Sequence, residues 1–216
     1  MKRYEDNEYI QIMEHPLILH KIGQIRRKDT DTKNFHELVS EIAMLMCYEV
    51  TSNLPQKEVL IETPICKTNV KMIEEDKIAI IPVLRAGLAM AEGIFKILPN
   101  AKVGHVGFFR DEESLLPVEY YCKLPIDCAE CEVFVVDPML ATGGTINATI
   151  QMLKNKGCTK IRVLSTIAAP EGIEAVSSEH MNVPIYIGEV DTKLNDNGYI
   201  VPGLGDAGDR IFGTDK

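Results

Sequence analysis

Val133-Phe134-Val135-Val136-Asp137-Pro138-Met139-Leu140-Ala141-Thr142-Gly143-Gly144-Thr145 reads as a buried strand running into a phosphate-cradling loop at the start of a helix. The apolar run Val133 to Val136 suits a strand covered on both faces. Asp137 ends that strand, so its carboxylate projects at the sheet edge. Gly143-Gly144 lets backbone approach a ligand closely and adopt conformations closed to other residues. Thr142 and Thr145 add hydroxyls beside the free N–H groups of the first helical turn, where the helix dipole also attracts a phosphate dianion. The loop is not a Walker A motif, since no Lys follows Gly144, and it carries no dinucleotide fingerprint. Taken alone, a plain strand-to-helix turn stays open as a reading, because double glycines are common in turns.

The chain on either side repeats the same alternation. Upstream, Phe35, Leu38, Val39, Ile42, Leu45 and Met46 form a helical stripe across residues 34 to 50. Strands are predicted at 59 to 65 and at Ile78 to Val83, the latter apolar throughout. Leu84-Arg85-Ala86-Gly87 is a turn, and a helix from Leu88 to Leu98 stops at Pro99-Asn100. A strand at Ala101 to Phe109 leads into a charged loop from Arg110 to Val118, then a short strand near Glu119 to Lys123. Downstream, a helix over about Gly144 to Lys156 is capped by Gly157. It is followed by a strand at Ile161 to Ile167, a short helix, and a last strand at Pro184 to Val190. The tail from Leu194 is rich in Gly and Asp and has little helical character.

Nearly all-apolar strands alternating with helices imply an α/β fold, a mostly parallel sheet with helices on both faces. Ligands of such sheets bind beyond the carboxyl ends of the strands. That rule gathers Arg85, Arg110, Asp137 to Thr145 and the loop after Val190 at one edge.

Composition narrows the function classes. The 216 residues carry a formal charge of -9, which argues against a nucleic-acid or anionic-membrane binder, since those rely on a basic face. A few local arginines and backbone amides can still hold a small anion. The N-terminus has a basic pair but no apolar stretch behind it, and no apolar run approaches the ~20 residues needed to span a bilayer. A cytoplasmic protein without membrane contact is expected. The six cysteines include Cys128-Ala129-Glu130-Cys131, a C-x-x-C. It precedes a strand rather than opening a helix, and no second pair completes a zinc site, so two unpaired thiols at a loop edge are expected. His15 and His20 are five apart, which does not suit two ligands on one helix face.

An apolar strand, an acid, and then Thr-Gly-Gly-Thr resembles the ribose-phosphate motif of type I phosphoribosyltransferases. Most of that group carry two adjacent acids; Asp137-Pro138 in their place resembles the uracil phosphoribosyltransferase family. His15-Pro16-Leu17, Pro82 to Gly87, Arg110 to Glu113, Ala169 to Gly172 and the long motif Gly198 to Asp209 fit the same family in the same order. The resemblance implies one phosphoribosyltransferase domain over 1–216, with a core at about 35–190 and a small base-binding hood formed by terminal segments, chiefly 191–216.

It also implies the reaction of uracil with 5-phosphoribosyl 1-diphosphate (PRPP), giving UMP and diphosphate in pyrimidine salvage. Asp137, Pro138, Met139, Leu140, Ala141, Thr142, Gly143, Gly144 and Thr145 are expected at the sugar phosphate, with Asp137 balancing positive charge on the ribose ring. Arg85 and Arg110 are expected on the diphosphate, where an Arg fork suits phosphate oxygens. Closure of the loop after Arg110 would exclude water. The backbone of Ile200, Gly205, Asp206 and Ala207 would read uracil. Asp137, Arg110 and Asp206 are the expected catalytic residues, with Asp206 reaching PRPP through magnesium-bound water. Mg2+ would be held mainly by substrate and water, since it dehydrates reluctantly. The family also brings a possible GTP effector and a homodimer or higher homo-oligomer. A phosphoribosyltransferase for another base is the nearest alternative. A regulatory RNA-binding protein on the same fold would need a basic patch that the charge of -9 disfavours.

Overall fold

A computed structural model of the chain describes residues 1–110 and 117–214. The chain opens with a hairpin, β1 (Lys2–Tyr4) and β2 (Asn7–Ile12). Both turn residues, Glu5 and Asp6, have positive φ, 45° and 60°, as a tight primed hairpin turn requires. Two helices follow. In α1 (Pro16–Arg26), Pro16 starts the helix and the His15 ring nitrogen accepts the Leu17 N–H. In α2 (Thr32–Val50), the Asp31 carboxylate accepts the Asn34 N–H. The predicted stripe of α2 is its buried face, with Phe35, Val39, Ile42 and Met46 all fully enclosed.

A second hairpin, β3 (Lys57–Glu62) and β4 (Lys67–Met72), pairs antiparallel from Lys57↔Met72 to Glu62↔Lys67. The sheet proper is built by β5 (Ile78–Leu84), α3 (Gly87–Phe95), β6 (Lys102–Val103), β7 (His105–Arg110), β8 (Pro117–Lys123), β9 (Glu132–Val136), β10 (Met139–Leu140), α4 (Gly144–Asn155), β11 (Ile161–Ala168), α5 (Pro170–Glu179) and β12 (Ile185–Val190). The tail adds β13 (Lys193–Leu194), β14 (Ile200–Val201) and α6 (Ala207–Phe212).

The strand order is β1-β2-β12-β11-β9-β5-β7-β8. Neighbours from β2 to β7 run parallel, and the outermost strand at each end runs antiparallel. Alternation along each strand feeds two cores. Ile78, Ile80, Phe134 and Val136 point to α1, α2 and α3, whereas Ala79, Ile81, Val133 and Val135 point to α4 and α5. Each fully buried Ile, Leu or Phe in these layers stabilises the fold by ~1.5–3 kcal/mol relative to exposure. This is the mostly parallel, helix-flanked sheet that the apolar runs predict.

Two local expectations are corrected. The 59 to 65 strand is half of a hairpin, because β4 (Lys-Thr-Asn-Val-Lys-Met) has too few apolar residues to register as a strand. The tail is not without helix: the Asp206 carboxylate accepts the Asp209 N–H and so caps α6. The thiols of the C-x-x-C are unpaired and lie in the connection between β8 and β9, as expected, but they face inward. Cys128 and Cys131 are buried, and the Cys128 sulfur lies 3.5 Å from that of Cys158. Residues 111 to 116, predicted to close over the site, lie outside the described residues. Among the described residues, no helix is long and apolar enough to cross a membrane.

Candidate active site

Parallel pairing lines up the strand ends. Pro82 pairs with Val136, Val136 with Leu164, Ala168 with Val190, and Leu84 with Gly107. The next residues along these strands therefore leave one common edge: Arg85, Asp137, Ala169 and Asp191. Arg110 ends β7 at the same side, and of it only the backbone is described.

The loop after β9 is anchored before it turns. Met139 and Leu140 pair with Ile167 and Ala168, the Pro138 carbonyl accepts the Ile167 N–H, and the Leu140 carbonyl accepts that of Ala169. Leu140 is fully buried, while Ala141 is half-buried and Thr142 exposed. Gly143 has φ 81° and caps α4. A Cβ there would be strained by that φ and would sit 3.0 Å from the Gly172 carbonyl oxygen. The N–H groups of the first turn, at Gly144, Thr145 and Ile146, have no intrahelical partner by helix geometry and suit an anion.

Asp137 stands at the mouth of this loop. Loss of solvent pushes its carboxyl up to about 7, and the charge of Asp206 adds to the rise; the Met139 N–H, donating to its Oδ1 at 3.2 Å, works in the opposite direction. The two acids are thus near enough to repel, although 69 residues separate them in sequence.

The turn after β5 presents Arg85, whose Nη2 lies 3.2 Å from Asp209 Oδ1 and whose guanidinium lies over the Phe212 ring at 5.7 Å. The Leu84–Arg85 peptide is cis. Gly87 is required behind it, because a Cβ would fall 2.4 Å from the Val136 carbonyl oxygen.

The tail folds back over this edge. A Cβ at Gly198 would be 3.7 Å from Thr142 Cγ2, and one at Gly208 would be 3.3 Å from Asp206 Oδ1 and 3.9 Å from Arg85 Nη2. Ile200, Leu204 and Ala207 are buried in the core, whereas Gly205 and Asp206 are exposed. Gly203-Leu204-Gly205-Asp206-Ala207-Gly208 spells a G-x-G-x-x-G string, but it follows a two-residue strand and opens a six-residue helix. It therefore lacks the βαβ setting of a dinucleotide site. The predicted site residues Arg85, Asp137, Thr142 and Asp206 are brought together.

Sequence reading missed the residues that hold the tail. Arg26 on α1 grips Asp191 with both terminal nitrogens, at 2.8 and 2.5 Å, and donates to the Gly203 carbonyl at 2.8 Å. Asp191 also accepts the Gly203 N–H at 2.9 Å. Glu171 accepts the Leu194 N–H, which holds its own carboxyl below the usual range. Arg210 lies over Phe35 at 4.2 Å and donates to the carbonyls of Ile25, Arg27, Thr30 and Leu204. No sequence signal marks such partners, since Arg26 and Asp191 are 165 positions apart.

Among the described residues, no group of three or more His, Cys, Asp or Glu side chains could hold a metal ion. Asp137 and Asp206 do offer hard oxygen donors, and their repulsion is of the kind that a divalent cation carried by a polyanionic ligand relieves.

A family model described as uracil phosphoribosyltransferase matches residues 12–214. A Clostridium perfringens (strain SM101 / Type A) protein named uracil phosphoribosyltransferase is 60% identical over 200 residues, covering 93% of this chain and 96% of the relative. One from Agathobacter rectalis is 58% identical over 205 residues, covering 95% and 98%. The solved structure of AQ2163 protein from Aquifex aeolicus superposes with a TM-score of 0.91 at 38% identity, covering 94% of this chain and 97% of that one. Adenine phosphoribosyl transferase from Trypanosoma brucei, at 15% identity and a TM-score of 0.59 over 95% of this chain and 92% of that one, shares the fold.

Proposed function

This chain belongs to the uracil phosphoribosyltransferase family, and we propose that the edge formed by Arg85, Asp137 to Thr145 and the folded-back tail is where it joins uracil to the sugar of PRPP. The products are UMP and diphosphate, which places the reaction in pyrimidine salvage. One observation carries the assignment of the site: the tail from Gly198 to Asp209 lies against the Asp137 to Thr145 loop, so the segments proposed for the base and for the sugar phosphate adjoin.

In this reading the first-turn amides of α4 and the hydroxyls of Thr142 and Thr145 hold the 5′-phosphate, with Asp137 to Ala141 shaping the approach. Asp137 accepts hydrogen bonds from the ribose hydroxyls. As the C1′–oxygen bond to diphosphate breaks, the leaving group takes the electron pair and positive charge grows on the ring. A fixed carboxylate beside it lowers that barrier. Arg85 and Arg110 bind the departing polyanion. Uracil N1 bonds to C1′ and gives up its proton, which passes to the departing diphosphate or to water. Backbone at Ile200, Gly205, Asp206 and Ala207 reads the edge of the base, and Asp206 stands beside both substrates.

Phosphoribosyltransferases of this kind use a divalent metal with PRPP. We assign magnesium to this role: Asp206 would hold it through water, and it would offset the charge of the leaving diphosphate. Residues 1–216 form one unit, with a hood at 191–216 over a core to which β2 and α1 also contribute. A response to GTP and a homodimer or larger assembly belong to the same reading; light scattering with and without GTP tests both.

The direct test is Asp137→Ala. Turnover is expected to fall ~10²–10³-fold with the circular dichroism spectrum preserved, the scale of removing one charge-stabilising group. Undiminished turnover would remove Asp137 from the mechanism.

A further inference from the structure

The segment that reads the base in the proposed function contains one glycine with both backbone groups committed to side chains. The Gly203 N–H donates to Asp191 Oδ2 at 2.9 Å, and its carbonyl accepts Arg26 Nη1 at 2.8 Å. Those two side chains grip each other through both guanidinium nitrogens, at 2.8 and 2.5 Å. Asp191 is only 3% exposed at its side chain and Arg26 18%, so the pair is well shielded from solvent. Glu189 completes the acidic side at 3.0 Å from Arg26.

The placement has a mechanical meaning. Asp191 directly follows β12, and its own N–H donates to the Ala168 carbonyl of β11, so the carboxylate is fixed to the rigid sheet. Arg26 closes α1, whose Ile18, Ile22 and Ile25 are buried in the core. Gly203 has φ 66°, and a Cβ there would fall 2.1 Å from the Ile200 carbonyl oxygen, so the chain between Ile200 and Gly205 is folded tightly around it. Two rigid elements from opposite ends of the sequence therefore meet on one glycine, flanked by Ile200 on one side and Gly205, Asp206 and Ala207 on the other.

We propose that Arg26 and Asp191 are positioning residues that set the shape of the uracil-reading segment through Gly203, and so govern uracil affinity without touching substrate. This rests on the assignment of Ile200 and Gly205 to Ala207 to the base. Backbone recognition has no side-chain slack: the N–H and carbonyl groups must already point correctly, and a shift of about 1 Å in a supporting shell is enough to lose them. The 5′-phosphate loop has its own anchors on β11, so loosening the clamp reaches PRPP only through Asp206 and disturbs it less than uracil.

The test is Arg26→Lys, which keeps the charge but cannot supply the fork to Asp191 and the bond to Gly203 together. The clamp predicts a ~10–100-fold rise in KM for uracil, the scale of one lost charge-assisted hydrogen bond, with a clearly smaller rise in KM for PRPP. Amide hydrogen exchange at 203–207 of the ligand-free protein should quicken, while exchange in β9 and α4 stays unchanged. Asp191→Asn, which retains an acceptor for the Gly203 N–H, should give a smaller rise in the same direction and serves if Arg26→Lys does not fold. Equal rises in both KM values, an unchanged uracil KM, or unchanged exchange at 203–207 would each overturn the proposal. Wild-type protein that makes no UMP from uracil would instead defeat the underlying assignment. The exchange measurement needs no turnover and separates the two failures.

Discussion

The Arg85 guanidinium lies 3.2 Å from the Asp209 carboxylate, 124 residues further along the chain. The partners are 53% and 36% exposed, so the pair contributes at most ~1 kcal/mol to stability. Its weakness suits a residue meant for a polyanion. Arg85→Ala should lower kcat/KM for PRPP ~10–100-fold, the loss of one charge-assisted contact, while Tm moves by less than ~4 °C. Wild-type kinetics with PRPP would take Arg85 out of the diphosphate site.

Asp137 links catalysis to stability with a definite sign. Its carboxyl is pushed up to about 7, against an ordinary value near ~3.9 in an unfolded chain. Below about pH 4 it is protonated in both states and carries no penalty. Between about 4 and 7 the unfolded chain loses its proton first, so this group's contribution to stability falls as pH rises, and the loss is complete above about 7. Asp137→Asn should therefore raise Tm of the ligand-free protein at pH 8, with a stability gain of at most ~4 kcal/mol for the full displacement from ~3.9 to about 7, and leave it unchanged at pH 4. A lower Tm at pH 8 would contradict the burial argument.

The same ionisation should appear in the kinetics. Chemistry needs the carboxylate charged, so log kcat/KM for PRPP should fall with a slope of one below about pH 7. Ribose hydroxyls donate to the charged form and favour it, so the corresponding limb in kcat should lie at lower pH. A kcat/KM profile flat from pH 5 to 8 would show that another group limits the reaction.

Gly143 tests the phosphate loop as backbone rather than side chain. Its φ of 81° disfavours any Cβ, and one would meet the Gly172 carbonyl oxygen at 3.0 Å. Gly143→Ala should cost ~1–2 kcal/mol of stability, read as a lower urea midpoint, and should raise KM for PRPP more than KM for uracil. Equal KM changes would mean that the loop does not serve the phosphate alone.

The sequence showed the alternating sheet because its strands are buried on both faces: Val133 to Val136 and Ile78 to Val83 needed no partner to be recognised. The strand-edge rule then put Arg85, Asp137 and the tail on one side, and the structure joins them there. What stayed hidden was long-range and polar. Arg26 meets Asp191 and Gly203 only after folding, and a lone Arg at a helix end looks like any solvated charge until its fork is satisfied. The β3–β4 hairpin carries mostly polar residues with exposed Leu60 and Ile65, so its periodicity was weak. The tail helix was too short for a 3.6-residue pattern to register, and only its Asp206 cap betrays it.

The central claim is that Gly198 to Asp209 reads uracil beside the Asp137 to Thr145 loop. Turnover with PRPP and magnesium should be measured for uracil, orotate, hypoxanthine and adenine side by side. The account predicts UMP from uracil, with the other bases disfavoured by ~10⁴-fold, as expected where buried polar groups must each find a partner. Preference for a purine or for orotate would contradict it.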